Sequence, residues 1–281
     1  MAEVHRDYFE VGAQCATTAS YQASVEGFSA RGIDGQTALD LIARSVLLAE
    51  AAREAALDAN PDGPPLFVAG SVGPYGAYRA DGSEYRGDYD LTRDEFIAFH
   101  RPRATALAEA GADVLAVETL PKLTEALAVA TLADELGIPA WYSFSLRDAR
   151  HLSDGTPLAD VARAFEGRPS VVAIGVNCVP ADLVTPALEE LAGHTWLPLI
   201  VYPNSGESYD PVAKRWAGGG ASASLADLAP QWRERGAKLI GGCCRTTPAD
   251  IAALAAALRS GSGRSAAGLN SGHGTAGRPG S

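Results

Sequence analysis

The chain has 281 residues, 47% of them apolar and 20% charged, and carries a formal net charge of −11. That length suits one sizeable core, and an acidic chain without clustered Lys and Arg is a poor nucleic-acid binder, because phosphate contacts need basic groups. No apolar run approaches the roughly 20 residues that cross a bilayer, and the start Met1-Ala2-Glu3-Val4-His5-Arg6-Asp7 lacks the basic and apolar regions of a signal peptide, so a cytoplasmic protein is expected.

Val4–Gly12 reads as a helix with no strand before it. Apolar runs then recur at Ala13–Thr18, Leu66–Ser71, Val114–Glu118, Trp141–Leu146, Val171–Cys178, Leu197–Asn204 and Lys238–Cys243. Most are continuous rather than alternating, as expected of strands buried on both faces. Between them, Ala38–Leu57 is rich in helix formers. Thr92-Arg93-Asp94-Glu95 fits a capping box, with Leu91 and Phe96 placed as a hydrophobic staple. Pro102 is expected to kink that helix or to start a second one. Thr247-Pro248-Ala249-Asp250 opens the last helix, with Thr as N-cap and Pro in the first turn. From Ser260 to Ser281 the chain is mostly Gly, Ser and Ala, which cannot offset its ordering entropy, so a disordered tail is expected after a domain over residues 1–259.

Strands alternating with helices argue for βα units around a parallel sheet. Thr18, Ser71, Glu118, Ser145, Cys178, Asn204 and Cys243 each close an apolar run. Polar groups at so many strand ends fit the active face of a (β/α)8 barrel of the TIM type, whereas an open doubly wound sheet collects ligands at one switch point. Such a barrel needs eight strands and seven runs are present, so a first βα unit is expected to be missing.

The strongest chemical signal is cysteine. Cys178 lies in Gly175-Val176-Asn177-Cys178, and 65 residues later Cys243 and Cys244 lie in Gly241-Gly242-Cys243-Cys244-Arg245. That separation is about two βα units, so the two strand ends are able to converge on one ion. Three thiolates suit Zn²⁺, and three ligands with an open fourth position is the catalytic arrangement. A thiol entering that position is deprotonated by the metal. A disulfide between Cys243 and Cys244 is disfavoured, because neighbouring Cα atoms lie about 3.8 Å apart, short of the usual span of about 4.4–6.8 Å. Cys15 is read as a small apolar filler, and the five histidines show no paired metal spacing.

Both cysteine motifs resemble the zinc motifs of the homocysteine S-methyltransferase family. Tyr202-Pro203-Asn204-Ser205-Gly206-Glu207 and Val117-Glu118-Thr119-Leu120-Pro121 are similar to further motifs of that family. Gly70-Ser71-Val72-Gly73-Pro74-Tyr75-Gly76-Ala77 and Asp81-Gly82-Ser83-Glu84-Tyr85-Arg86-Gly87 resemble the branch that uses S-methylmethionine or S-adenosylmethionine. The resemblance runs from about Glu3 to Arg259. It implies that Cys178, Cys243 and Cys244 hold zinc and that Glu118 binds the α-amino group of homocysteine. It implies further that Asn204 occupies the fourth zinc position until substrate displaces it, and that Tyr21, Ser71, Ser143 and Tyr202 line the pocket. The expected reaction is methyl transfer from a sulfonium donor to homocysteine, forming methionine, in a monomer with small-molecule partners only. The family also begins with a strand ending in Asp-Gly-Ala, whose Asp grips the substrate amino group. Its lack here makes an inactive zinc-binding fragment the alternative expectation.

Overall fold

All seven apolar runs become strands of one parallel sheet in the computed structural model, which describes residues 1–206, 208–210, 215–217 and 223–262. The strands are β1 (Cys15–Thr17), β2 (Phe67–Val72), β3 (Val114–Leu120), β4 (Ala140–Phe144), β5 (Val171–Asn177), β6 (Leu199–Tyr202) and β7 (Ala237–Ile240). Their order in the sheet is their order in the chain, and every pair is parallel. This is the winding of a (β/α)8 barrel with seven strand positions filled. Among the described residues no strand pairs with the outer edges of β1 and β7, which flank the open position.

The intervening helices are α1 (Ala2–Glu10), α2 (Gly35–Ala59), α3 (Arg93–Glu109), α4 (Leu123–Leu136), α5 (Leu158–Phe165), α6 (Ala181–Ala192), α7 (Leu225–Glu234) and α8 (Pro248–Ser262). The capping box of α3 forms as expected: the Thr92 hydroxyl accepts from the Glu95 N–H, and Glu95 reaches back to the Thr92 N–H. Pro102 does not start a second helix. α3 continues through it to Glu109, anchored on both sides of the proline by the buried His100 and Arg103. α8 runs to Ser262, past the expected start of the tail, and the rest of that tail lies outside the described residues. Five strands stop earlier than their apolar runs, β1 by one residue at Thr17. β4 ends at Phe144, and the following Leu146–Asp148 pairs instead with His151–Leu152 in a small ribbon. β5 ends at Asn177 because Cys178 turns left-handed, β6 ends at Tyr202 before Pro203, and β7 ends at Ile240 before two glycines. No helix of the described residues is long and apolar enough to cross a membrane.

Period-two alternation sorts each strand into two layers. Val68, Leu115, Val117, Tyr142, Phe144, Ile174, Val176, Leu199 and Val201 face outward. They pack against helix residues such as Ile42, Val46, Leu107, Val129, Leu188, Trp232 and Leu254. Ala69, Ala116, Trp141, Ala173, Ile200 and Tyr202 form a separate inner cluster, with Cys15, Leu239 and Cys243 against it. On the open side, α1 bridges the ends of the helical ring. Its Tyr8 hydroxyl donates to the Thr246 carbonyl at 2.8 Å, and Gly12 sits close enough to α8 that a Cβ there would be 3.2 Å from Ala255 Cβ.

One glycine is set by the packing of neighbouring strands. A Cβ on Gly175 in β5 would lie 1.7 Å from the Ile200 carbonyl oxygen of β6, a clash with backbone that no rotamer relieves. Gly175→Ala is therefore expected to destabilise the fold by about 3 kcal/mol or more. Gly35→Ala, whose added methyl meets only Val25 at 3.7 Å, is expected to change stability by less than about 1 kcal/mol. Denaturant unfolding of the two variants side by side checks this, and equal stabilities would refute the assigned β5–β6 packing.

Candidate active site

The same alternation carries inward-facing polar groups to the C-terminal ends of the strands. Two residues beyond Ala69 stands Ser71, beyond Ala116 stands Glu118, beyond Trp141 stands Ser143, and beyond Ile200 stands Tyr202. These groups bond to one another. The Ser71 hydroxyl donates to Glu118 Oε1, and the Tyr202 hydroxyl is hydrogen-bonded to Glu118 as well. Trp141 Nε1 donates to the Tyr202 oxygen at 3.0 Å, and Ser143 Oγ lies 2.5 Å from it. Glu118 is only 8% exposed. Burial pushes its carboxyl up to about 7, against the opposing pull of the hydrogen bonds from Ser71 and Tyr202.

Three non-glycine residues at the strand ends adopt left-handed backbone: Thr119 at φ 61°, Cys178 at 52° and Arg245 at 68°. For a β-branched residue such as Thr119 this is a true outlier. The pairing of β3 with β4 slips between Val117 and Leu120, so Glu118 and Thr119 sit in a bulge. The Asn177 side chain holds that bulge. Its Oδ1 accepts from the Thr119 N–H and its Nδ2 donates to Thr119 Oγ1, both at 2.8 Å. Asn177 is fully buried, and the next residue is Cys178.

The turn at Cys178 and the loop after β7 bring three thiols together. The Sγ atoms of Cys178, Cys243 and Cys244 lie within 4.8 Å of one another, Cys178 and Cys244 at 3.4 Å. The loop is tied down by Cys243 N–H donating to the Pro203 carbonyl at 2.9 Å and Ser205 N–H to the Cys244 carbonyl at 3.2 Å. Gly242 is required there, because a Cβ would sit 2.5 Å from Thr246 Cγ2. Crowding forbids all three thiols from ionising without a cation. Hydrogen bonds from Cys178 and then Cys243 draw Cys244 down to about 4, and Cys243 is pushed well up by its sulfur neighbours and by burial. Among the described residues no fourth Cys, His, Asp or Glu joins the group.

The other residues picked out in the sequence fall into two sets. Tyr21 lies at the cluster's margin, its hydroxyl bonded to Thr119 and its carbonyl accepting from Arg103 at 2.9 Å. Asn204 lies beside the thiols, but its side chain is engaged by the loop. Nδ2 donates to the Cys178 carbonyl at 3.4 Å and Oδ1 accepts from the Gly206 N–H at 2.9 Å. Glu207 lies outside the described residues. Sequence reasoning missed Asn177 and Thr119, although each adjoins a chosen residue, because only the backbone reversal reveals their task. It also gave no role to Tyr85, whose hydroxyl is 3.3 Å from Cys178 Sγ. His100 is structural: fully buried, it links Glu125 and Arg103 at 2.8 Å each.

A sequence model described as Homocysteine S-methyltransferase matches residues 1–258. The chain belongs to the homocysteine S-methyltransferase family. The homocysteine S-methyltransferase of Escherichia coli (strain K12) is 60% identical over 256 residues, covering 90% of this chain and 83% of its own. That of Bacillus subtilis (strain 168) is 52% identical over 262 residues, covering 92% and 83%. The crystal structure of the Escherichia coli homocysteine methyltransferase in its metallated form superposes with a TM-score of 0.83 at 56% identity, covering 91% of this chain and 83% of that one. As a homocysteine S-methyltransferase the protein is a methyltransferase enzyme, and the strand-end face with its three thiols is its candidate site.

Glu118 gives a pH-dependent test of that face. Its carboxyl titrates near 7 when folded, against about 4.5 when unfolded, so between those values the native state holds the extra proton. Stability is then highest below about 4.5 and falls as pH rises through 7. In chelator-treated, reduced protein, Glu118→Gln is expected to remove that fall and to be more stable than the parent at pH 8, by at most roughly 3 kcal/mol. Denaturant titrations between pH 5 and 8 measure the difference. Parallel curves for the two proteins would show that Glu118 is not desolvated.

Proposed function

We propose that this enzyme transfers a methyl group from a sulfonium donor, S-methylmethionine in preference to S-adenosylmethionine, to homocysteine, with Zn²⁺ held by Cys178, Cys243 and Cys244. The observation that carries this reading is the convergence of the three thiols without a fourth ligand of the same kind among the described residues. Tetrahedral zinc at Zn–S distances near 2.3 Å sets its sulfurs roughly 3.8 Å apart, and a cluster within 4.8 Å, with one pair at 3.4 Å, fits such an ion. The metallated form of the Escherichia coli relative supports a metal in the same fold. Zinc in a three-thiolate site supplies Lewis acidity that keeps an entering thiol deprotonated at neutral pH.

The chain's own residues then do the positioning. Glu118 accepts the α-ammonium group of homocysteine in a charge-assisted contact, and that cation restores the carboxylate that burial disfavours. Ser71 and Tyr202 fix the direction of the carboxylate, with Tyr202 in turn held by Trp141 and Ser143. Tyr85 and Asn177 approach the thiols from two sides and limit the rotamers of Cys178 and Cys243. Asn204 straps the loop after β6 to the Cys178 backbone. The sulfonium donor brings its own leaving group, a neutral thioether, so no general acid is needed. Held in line, the two sulfurs gain the rate advantage of a fixed near-attack geometry. The position between β7 and β1, which no strand fills among the described residues, favours a second reading, a zinc-binding chain without turnover.

Zinc content of the purified chain, measured alongside methionine formation from homocysteine and S-methylmethionine, separates the two. One equivalent of zinc with turnover is expected. Cys243→Ala is expected to lose the metal and to lower turnover by about a thousandfold or more. Zinc without turnover would favour the second reading, and full activity in metal-free Cys243→Ala would overturn the zinc assignment.

A further inference from the structure

The loop after β2 places a second buried carboxylate beside the thiols. Glu84 sits in the 3-10 turn Ser83–Tyr85, 7% exposed. The next residue in that turn is Tyr85, whose hydroxyl meets Cys178 Sγ at 3.3 Å. The turn is held on both sides. Ser145 Oγ donates to the Glu84 carbonyl at 2.8 Å, and a Cβ on Gly76 would lie 2.5 Å from the Glu84 nitrogen, so the backbone has no room to shift. The carboxyl bonds its own backbone N–H through one oxygen, while Oε2 is buried and has no hydrogen-bond partner among the described residues. Glu84 lies near enough for its charge to act on Cys178 and on the Tyr21 hydroxyl.

A buried carboxylate oxygen without a donor is costly, by more than a neutral group in the same place. Arg86, two residues on, offsets part of that cost by its charge but gives the oxygen no hydrogen bond: its guanidinium is engaged by Asp88 at 2.8 Å and by the Asp81 carbonyl at 3.1 Å. The reaction proposed above brings two amino acids to one methyl group, and each carries an α-ammonium group. Glu118, on β3 at the sheet end, serves the acceptor. Glu84 stands on the loop that covers the thiols. We propose that Glu84 binds the methyl donor, its free oxygen taking the α-ammonium of a sulfonium amino acid. An ammonium partner keeps its charge throughout methyl transfer, so this contact strengthens ground state and transition state alike. A contact to the sulfonium itself would weaken as that charge disappears. The inference rests on the sulfonium-donor reading and goes beyond it by assigning the residue that recognises the donor.

Glu84→Gln keeps the shape and removes the charge. With zinc-loaded enzyme, the KM for S-methylmethionine is expected to rise about tenfold or more with kcat little changed, and the KM for homocysteine to stay within about twofold. Equilibrium dialysis of S-methylmethionine, without homocysteine, should show the same loss of affinity. Glu84→Asp, which keeps the charge, should recover part of it, and thermal melting with zinc content confirms that both variants fold. A rise in kcat with weaker donor binding would place the carboxylate on the sulfonium and overturn the ammonium assignment. A raised KM for homocysteine alone would move Glu84 to the acceptor, and unchanged constants for both substrates would make it structural. No donor binding by the parent enzyme would instead sink the sulfonium-donor reading itself.

Discussion

Three sulfur atoms within 4.8 Å of one another are the constraint on which the site is built. Two of them are sequence neighbours, and the third comes from a strand two places away in the sheet. Straight strands would carry their side chains past one another. The chain therefore reverses at Cys178 and again at Arg245, both in left-handed backbone. Such residues cost about 1–3 kcal/mol each and persist only where the surroundings over-determine them. Here the surroundings are specific: Cys178 N–H is held by the Tyr202 carbonyl at 3.0 Å, and the Cys243 carbonyl by Thr246 at both N–H and hydroxyl. The third left-handed residue, Thr119, is fixed by the Asn177 amide, so the bulge that aims Glu118 and the turn that aims Cys178 share one side chain.

The polar rim is an extension of the apolar floor. Because side chains alternate along a strand, small inner residues such as Ala69 and Ala116 hand over two positions later to Ser71 and Glu118. Outer residues in the same strands stay apolar and hold the helices. The rigid part of the molecule thus aims the reactive part without any intervening flexible joint. A second buried polar set, His100, Arg103 and Glu125, stiffens the loop side of the mouth by bonding the carbonyls of Tyr21 and Gly73, the Tyr75 N–H and the Tyr89 hydroxyl.

Much of this was legible in the sequence. Continuous apolar runs located the seven strands, and the Thr92 and Thr247 caps located two helix starts, because these signals are local. The convergence of Cys178 with Cys243 and Cys244 followed from strand spacing. Strand ends were less legible: β5 stops one residue before its apolar run does, since hydropathy does not report a positive φ at a cysteine. Pro102 starts no second helix because its local cost is outweighed by the buried anchors on either side. Tyr85 and Glu84 stayed without a role for a different reason. They reach the site from a loop with no periodicity, and only the folded path of that loop puts them beside Cys178. The engagement of both ends of the Asn204 side chain was equally out of reach, since it depends on the Cys178 carbonyl and the Gly206 N–H meeting in space.

The helical ring is bridged by α1 and Tyr8 while the strand ring, among the described residues, is not closed. Backbone protection is therefore graded across the sheet. In the centre, β3, β4 and β5 are paired on both sides and covered by helices, so their amide protons can exchange with solvent only through near-global opening. At the margins, β1 and β7 each have one edge that no strand pairs among the described residues. Their amides are open to local fluctuation and to pairing with a foreign strand. Glu118 and Cys178 ride on the slow part of that gradient, whereas Cys243 and Cys244 follow directly from its fast end. The cluster thus joins a strand paired on both sides to one that, among the described residues, is paired on one side only, and its geometry depends on both.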